Sequence, residues 1–383
     1  MYTVAIKMLV GDRGKYLGIL MGVTFASLLI THQESVFVGI MTRTYAAITD
    51  LALPDIWVMD PKVQFIDDTK PLQDTQLQRV RGVQGIAWAV PLYKGILRAR
   101  LASGQFQSCN VLGLDDATLI GGPPEMLEGS LADLRQADAV IVDIVGAQGR
   151  LASPGPDGQP VPLKVGDTLE LNDRRAVVVG LCRNNRTFQS QPVIYTTYSR
   201  ATLYAPRERK LLSFILVKVQ PGQDIPTICR RIESNTGLGA LTREQFKRKT
   251  FWYFMKFTGI PINLGMMMFM SLVFGTAIAG QTFYTFTLEN LRYFGTLKAM
   301  GADNRLLLRM IVLQAVLVGV IGYGIGVGGS ALFGYLSSGT EAAWRLVWPL
   351  LLITGAVVTL ICMASAAICV RKVMRLEPAV VFR

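Results

Sequence analysis

The sequence holds a single histidine, His32, among 383 residues. Histidine is the side chain that titrates near neutrality and ligates metals most often, so a His-based metal centre or catalytic triad within one chain is excluded. Cysteine is scarce as well. Cys109, Cys182, Cys229, Cys362 and Cys369 show no CxxC or other ligand spacing, which argues against a zinc site or a dithiol redox motif. Cys362 and Cys369 lie inside an apolar run and read as packing residues. The other three permit at most one disulfide among them, with no pair singled out. Charge is in short supply too: 17% of residues are Asp, Glu, Lys or Arg, against about 25% in an average soluble domain. No GxxxxGKS or GxxxxGKT phosphate loop occurs anywhere, so the chain is not expected to bind ATP or any cofactor by itself. No nucleophile–base pair can be assembled either, and no catalytic residue or metal ligand is assigned.

What fills the space is apolar: 51% of residues are hydrophobic, in blocks. The net charge of +12 raises the question of nucleic acid, but the basic residues form no stripe interleaved with aromatics. They flank the apolar runs instead, where membrane topology places them. Four stretches are long enough to cross a bilayer, which takes about 20 residues: 16–40, 259–286, 306–336 and 346–370. The first begins like a signal peptide, yet no small-residue cleavage site follows Ile30, and a retained helix is expected. Lys7, Arg13 and Lys15 precede the first span. Arg292, Lys298, Arg305 and Arg309 lie between or just inside the second and third, and Arg371, Lys372, Arg375 and Arg383 follow the fourth. Excess Lys and Arg marks the cytoplasmic side. The expected order is therefore an amphipathic cytoplasmic amino end (1–15), the first span, an extracytoplasmic domain (41–258), the second span, and a cytoplasmic loop (287–305). The third span, a short external loop (337–345), the fourth span and a basic cytoplasmic tail (371–383) follow. His32 and Glu34 fall late in the first span and read as a helix emerging into water. Gln281 and Gln314 read as polar residues bonded between helices.

The long outer segment reads as a folded α+β domain. Short β-branched runs bounded by Gly, Pro and Asp recur at Asp55–Met59, Ala139–Asp143, Ala176–Gly180, Val193–Thr197 and Phe214–Val219, the signature of strands. Gln73–Val80, Ile225–Ser234 and Lys247–Phe257 read as helices, and Ser153–Pro160 as a surface loop.

Gly324-Ile325-Gly326-Val327-Gly328-Gly329 matches GxGxxG by letter, but it neither follows a strand nor opens a helix. Within a span, Gly322/Gly326, Gly324/Gly328 and Gly18/Gly22 are GxxxG pairs. They suit close helix packing, either within one chain or in a dimer. The cytoplasmic stretch from Thr287 to Ala302 carries an apolar stripe of Leu288, Leu291, Leu297 and Met300, with Glu289, Arg292 and Lys298 in water. Such a short amphipathic helix either lies on the lipid surface or is gripped by a soluble partner.

Arg292-Tyr293-Phe294-Gly295-Thr296-Leu297-Lys298-Ala299-Met300-Gly301-Ala302 resembles the R-x-x-G-x-L-K-A-x-G-A signature of FtsX-like and MacB-like ABC transporter permeases. The similarity extends through Leu313-Gln314-Ala315-Val316 and the glycine-rich third span to Glu377-Pro378-Ala379-Val380. Ala5-x-Lys7-x-Leu9 with Asp12-Arg13 also fits. In the outer domain Leu77, Val80, Gly82 and Val83 with Val90-Pro91, and Val165-Gly166-Asp167 with Val178-Val179-Gly180, are similar to a MacB-type periplasmic domain. The Leu-Lys-Ala-Met-Gly form and the short length lean towards the DevC-like branch. The resemblance implies four transmembrane α-helices plus a large α+β periplasmic domain, in a bacterial inner membrane with both termini cytoplasmic. It implies a non-enzymatic permease subunit whose separate ATPase binds ATP and Mg. The segment from Glu289 to Gly301 would then be the coupling loop that docks on that ATPase. A second permease copy, a periplasmic membrane-fusion adaptor and an outer-membrane duct are further implied partners, besides membrane lipid; nucleic acid is not. The work implied is mechanotransmission, for export of a lipid, glycolipid, peptide or amphipathic compound. The alternative is an FtsX-like signalling or scaffold protein that regulates a cell-wall hydrolase.

Overall fold

The computed structural model describes residues 2–11, 13–155, 159–206, 212–337 and 340–374, with the side chains of 2, 15, 279, 283, 286, 287, 291 and 368–374 excepted. Arg375, Arg383, Ser338 and the Glu377–Val380 motif lie outside the described residues, as does the middle of the Ser153–Pro160 loop; so do the side chains of Cys369, Arg371 and Lys372.

The elements follow one another in three blocks. The amino end gives α1 (Tyr2–Val10) and α2 (Arg13–Thr44). The middle gives α3 (Ala46–Asp50), β1 (Ile56–Met59), α4 (Asp74–Arg81), β2 (Ile86–Arg100), β3 (Phe106–Leu114), β4 (Glu125–Glu128), β5 (Ala139–Asp143), α5 (Ile144–Gln148), β6 (Ser153–Pro154) and β7 (Pro160–Val161). It continues with β8 (Thr168–Leu171), β9 (Arg174–Arg183), β10 (Val193–Thr197), α6 (Tyr198–Tyr204), β11 (Phe214–Val219), α7 (Ile225–Thr236), β12 (Gly239–Thr242) and α8 (Arg243–Phe257). The carboxyl end gives α9 (Ile260–Glu289), α10 (Leu291–Ala299), α11 (Asn304–Leu336) and α12 (Trp348–Met374). Two compact units result, one of residues 1–40 with 259–383 and the other of Met41–Thr258.

The first unit is helical. Four of its helices are long and apolar enough to cross a membrane: Tyr16–Thr44, Ile260–Thr282, Asn304–Leu336 and Trp348–Ala367. α9 leaves Ile262, Met266 and Phe269 more than half exposed, a face that hydrocarbon covers at no cost. α11 is the pivot of the bundle. Gln314 Nε2 donates to the Ala5 carbonyl of α1 at 2.8 Å, so this glutamine does bond between helices. Tyr323 Oη donates to the Leu351 carbonyl of α12 at 2.8 Å. Both satisfy polar groups that lipid would leave unpaired. The reading of Glu34 is corrected here. α2 continues ten residues beyond it to Thr44, and Glu34 is buried, accepting a 2.7 Å bond from Thr354 Oγ1 of α12. It belongs to the helix interface, not to an emerging end. His32 sits edge-on to Phe333 of α11, ring centroids 4.8 Å apart.

The second unit is an α+β domain on a ten-stranded mixed sheet, ordered β12-β1-β11-β2-β3-β10-β5-β9-β4, with β8 bridging β2 and β9. The long β2 joins its two halves. Residues Ile86–Leu92 pair with β11, and Tyr93–Arg100 pair with β3. Helices cover the sheet by short apolar repeats: Ile228, Cys229 and Ile232 of α7, and Phe246, Thr250 and Phe254 of α8, are buried. Phe246 packs on Trp57 and Phe214 with ring centroids 5.5 and 5.9 Å away. α8 begins at Arg243, four residues before the expected Lys247. A capping box of Thr242 and Gln245 satisfies both orphan donors there. The Ser153–Pro160 segment, expected as loop, closes through a two-residue ladder between β6 and β7. Cys109, Cys182 and Cys229 are buried free thiols. They sit in three different apolar clusters.

Candidate docking helix and the helix interfaces

α10 is where the sequence motif is densest. α9 ends at Glu289, and Asn290 leaves helical geometry at φ −93° and ψ 4° before α10 begins. At the other end Gly301 adopts φ +93°. The Ala302 N–H bonds the Leu297 carbonyl at 3.0 Å and the Gly301 N–H bonds the Lys298 carbonyl at 3.1 Å. This is a Schellman closure, which requires a left-handed residue that glycine supplies without a Cβ clash. The glycine of the motif is thus a helix terminator.

The faces of α10 are unequal. Phe294 is 1% exposed and Leu297 9%, both part of the bundle core with Leu307, Met310 and Ile311 of α11. Gly295 is buried beside them. Arg292, Tyr293, Thr296, Ala299 and Met300 are exposed, at spacings i, i+1, i+4, i+7 and i+8, which line one side of a helix. Tyr293 is 63% and Met300 71% exposed. Glu289 is exposed just ahead of the helix, Lys298 is half-buried, and the side chain of Leu291 is outside the described residues. The expected stripe therefore divides. Leu297 anchors inwards with Phe294, three residues before it, while Met300, at the C-cap, lies on the exposed side with Tyr293 and Thr296. A tyrosine and a methionine left in water beside an arginine are what a protein partner buries well: aromatic, Met and Arg side chains are enriched at interfaces.

The glycine pairs also divide. A Cβ on Gly326 would lie 2.6 Å from Ser27 Cβ, and one on Gly322 2.8 Å from Val23 Cγ1, so α11 and α2 touch at backbone range. A Cβ on Gly22 would be 3.1 Å from Ile278 of α9. Gly18, Gly324 and Gly328 meet nothing within 4 Å. Three of the six glycines thus serve packing inside this chain. Gly275 was missed by motif reading, although a Cβ there would be 2.7 Å from Ala26 Cβ; its partner in the close approach is alanine on another helix, which no GxxxG count detects.

Two families match the sequence. The FtsX-like permease C-terminal family covers residues 265–378, and the MacB-like periplasmic core domain family covers residues 16–235. No curated relative matches. Solved structures similar to part of the chain include the extracellular domain of the noncanonical ABC-type transporter YknZ from Gram-positive bacteria. It is 12% identical, with 49% of this chain and 98% of that one covered and a TM-score of 0.34. The periplasmic region of MacB from Actinobacillus actinomycetemcomitans is 14% identical, with 52% and 94% covered and a TM-score of 0.37. A permease domain from Porphyromonas gingivalis is 12% identical, with 50% and 90% covered and a TM-score of 0.33. The assignment rests on the two family matches, which between them span the membrane helices and the outer α+β domain. The chain belongs to the MacB/FtsX-like family of ABC transporter permeases, membrane proteins whose family implies an ABC ATPase partner.

Proposed function

We propose that this chain is the permease subunit of an ATP-driven export system and that α10 is its coupling helix. The observation that carries the reading is the division of α10: Phe294 and Leu297 lock it to the bundle, while Arg292, Tyr293, Thr296 and Met300 form an outward face. A helix held this firmly transmits a push on its outer face to α9 and α11, which flank it in the chain. ATP and Mg bind the partner ATPase, not this chain. Closure of that ATPase rocks the membrane helices and reshapes the outer domain, so that the substrate is handled outside the bilayer. Among the described residues of the four spans Glu34 is the one buried charged side chain, which fits mechanotransmission better than passage of a polar substrate between helices. The amphipathic export substrates, a second copy of the chain, an adaptor and an outer-membrane duct belong to this reading. So do the DevC-like branch and the inner-membrane orientation, with both termini and α10 cytoplasmic.

Tyr293→Glu and Met300→Glu test the docking face. Each places a charge where an apolar surface would be buried, and copurification of the ATPase should weaken by about tenfold or more per variant. Expression and monodispersity should hold, because neither side chain contacts the bundle core. Full ATPase association together with full transport by both variants would remove α10 from the coupling role. Orientation has its own check. Cysteines introduced at Ser103 and Thr340 should react with an impermeant thiol reagent from outside, and one at Asn304 only after lysis; labelling of Asn304 from outside would invert the topology.

A further inference from the structure

A cavity of about 510 Å³ opens on the outer domain, walled by the ends of β2, β3, β9 and α6. Drug-sized ligands occupy cavities of roughly 300–1,000 Å³. Arg98 and Arg100 stand two residues apart on β2, hence on one face of the strand. Their guanidinium carbons lie 4.6 and 5.9 Å from the centre of the Phe106 ring, which belongs to β3. Arg174, at the start of β9, supplies a third guanidinium to the same wall.

The charge balance of the wall is positive. Arg100 has a long 3.5 Å contact to Glu170. Among the described residues, Arg98 and Arg174 have no carboxylate at ion-pair distance. Among the described residues Asp173 is the one acid on the lining. Tyr204 adds no negative charge, because burial first and Asp138 second push its phenol up to about 12, against the pull of Arg200 and Arg174. Beside this charge stand two apolar groups in water, Phe106 at 57% and Leu203 at 50% exposure.

The wall is also held in shape. β8 and β9 are joined by Asn172 and Asp173, at φ +47° and +63°, the left-handed pair of a two-residue hairpin turn. Asn172 is fixed from three directions. Its N–H donates to the Arg98 carbonyl at 2.9 Å, its Oδ1 accepts from the Arg98 N–H at 3.2 Å, and its Nδ2 donates to the Tyr204 carbonyl at 2.9 Å. Tyr204 Oη in turn donates to the Arg175 carbonyl at 3.2 Å. Guanidinium groups on a rigid frame lose little freedom when they bind an anion, and their fork geometry matches phosphate or carboxylate.

We propose that this cavity binds a phosphate or carboxylate group carried on an apolar body, the anion held by Arg98 and Arg174 and the apolar part laid against Phe106 and Leu203. The proposal deepens the export reading, on which it rests for its biological sense, by narrowing the handled compounds to amphipathic anions. A bulk apolar ligand would leave the guanidinium groups desolvated and unpaired. A bare anion would leave the phenyl and leucyl groups in water.

The test uses the full chain in phosphatidylcholine nanodiscs, without ATPase, titrated with 1-naphthyl phosphate and, separately, with inorganic phosphate. Saturable binding of the aryl phosphate is expected, about tenfold or more tighter than inorganic phosphate, a tenfold step being about 1.4 kcal/mol. Arg98→Gln with Arg174→Gln should weaken the aryl phosphate by about tenfold or more, as for loss of charge-assisted bonds. Phe106→Ala should erase the preference for the aryl compound and leave inorganic phosphate unchanged. Arg183→Gln, away from the cavity, serves as control, and unchanged thermal unfolding shows that each variant is folded. Absence of saturable binding, or binding untouched by the double arginine variant, would overturn the site. The readout is independent of α10: lost ATPase docking with binding intact would count against the export reading alone, and intact docking without binding against the cavity alone.

Discussion

The two units of this chain keep their helices in place by opposite means. In the outer domain the filler is large: Trp57, Phe214 and Phe246 are fully buried, and the rings touch one another. Water drives those rings inwards, at about 25 cal/mol per Å² of apolar surface removed from it. In the membrane unit α2 and α11 come to backbone range at glycines, Gly322 and Gly326 against Val23 and Ser27. Hydrocarbon is as apolar as leucine, so burying a large side chain between helices gains little there. Close backbone approach gains dispersion and short polar contacts instead. Size is an asset in one solvent and an obstacle in the other.

That contrast can be broken from either side. Phe246→Ala should have the largest effect, about 3–5 kcal/mol of outer-domain stability, because it removes a buried ring shared by two others. Chemical unfolding of the full chain, with Trp88, Trp252, Trp344 and Trp348 replaced by Phe so that Trp57 alone fluoresces, would measure it. Next comes Gly326→Ala, which changes the chain by one methyl group. Its Cβ would fall 2.6 Å from Ser27 Cβ and 2.7 Å from the Thr24 carbonyl oxygen, so α2 must move away, at about 1–3 kcal/mol. Gly324→Ala, two residues away with open space around it, should stay within about 0.5 kcal/mol of wild type. Equal thermal stability of the two glycine variants in detergent would mean that close approach is not what holds this bundle together.

Much of the architecture was readable from sequence because the membrane imposes a coarse rule. Runs of about 20 apolar residues have few alternatives, and the strands of the outer domain are bounded by turn residues. What stayed hidden depends on partners far away in sequence. Nothing near Glu34 announces Thr354, 320 residues on, so a carboxylate in a helix interface read as one leaving the bilayer. Phe294 lies off the stripe of Leu288, Leu291, Leu297 and Met300 because that stripe assumes one helix running through Asn290; α10 is a separate helix from Leu291 to Ala299, and its inner face is Phe294 with Leu297, while Met300 is exposed. The capping box at Thr242 and Gln245 was legible in four letters and would have placed the start of α8 correctly.

Gly301 lets the two packing regimes be compared at a site that uses neither. A Cβ there meets nothing within 4 Å, yet φ is +93°. Gly301→Ala should therefore cost about 1–2 kcal/mol through backbone strain alone. Because the site is local, the cost should appear as faster amide exchange in α10 rather than as a lower unfolding temperature for the outer domain. Exchange in α10 unchanged from wild type would mean that the helix end does not depend on the left-handed residue.

The effect that is smallest at neutral pH is expected from the outer-domain thiols, and it sharpens the contrast from the chemical side. Burial pushes Cys109 and Cys182 up to about 12, with Asp143 adding to both, and pushes Cys229 to about 11, with Glu233 adding. An exposed cysteine titrates near 8.5 and attacks maleimides as the thiolate. All three should therefore label slowly at pH 7.5 in the folded protein and rapidly once denaturant is added. Their thiol pKa values are higher folded than unfolded, so the stability they contribute is complete below the ordinary thiol value and is lost as pH climbs from there towards 11–12. The denaturation midpoint of the outer domain should fall across that alkaline window, and replacing the three cysteines by alanine should flatten part of the fall. Lysine and tyrosine also titrate there, so the comparison that decides is between the two proteins, not the slope of either alone. Identical alkaline profiles, or rapid labelling of Cys109, Cys182 or Cys229 in the folded chain at pH 7.5, would show that the water-excluded interior assigned to these thiols is open to solvent.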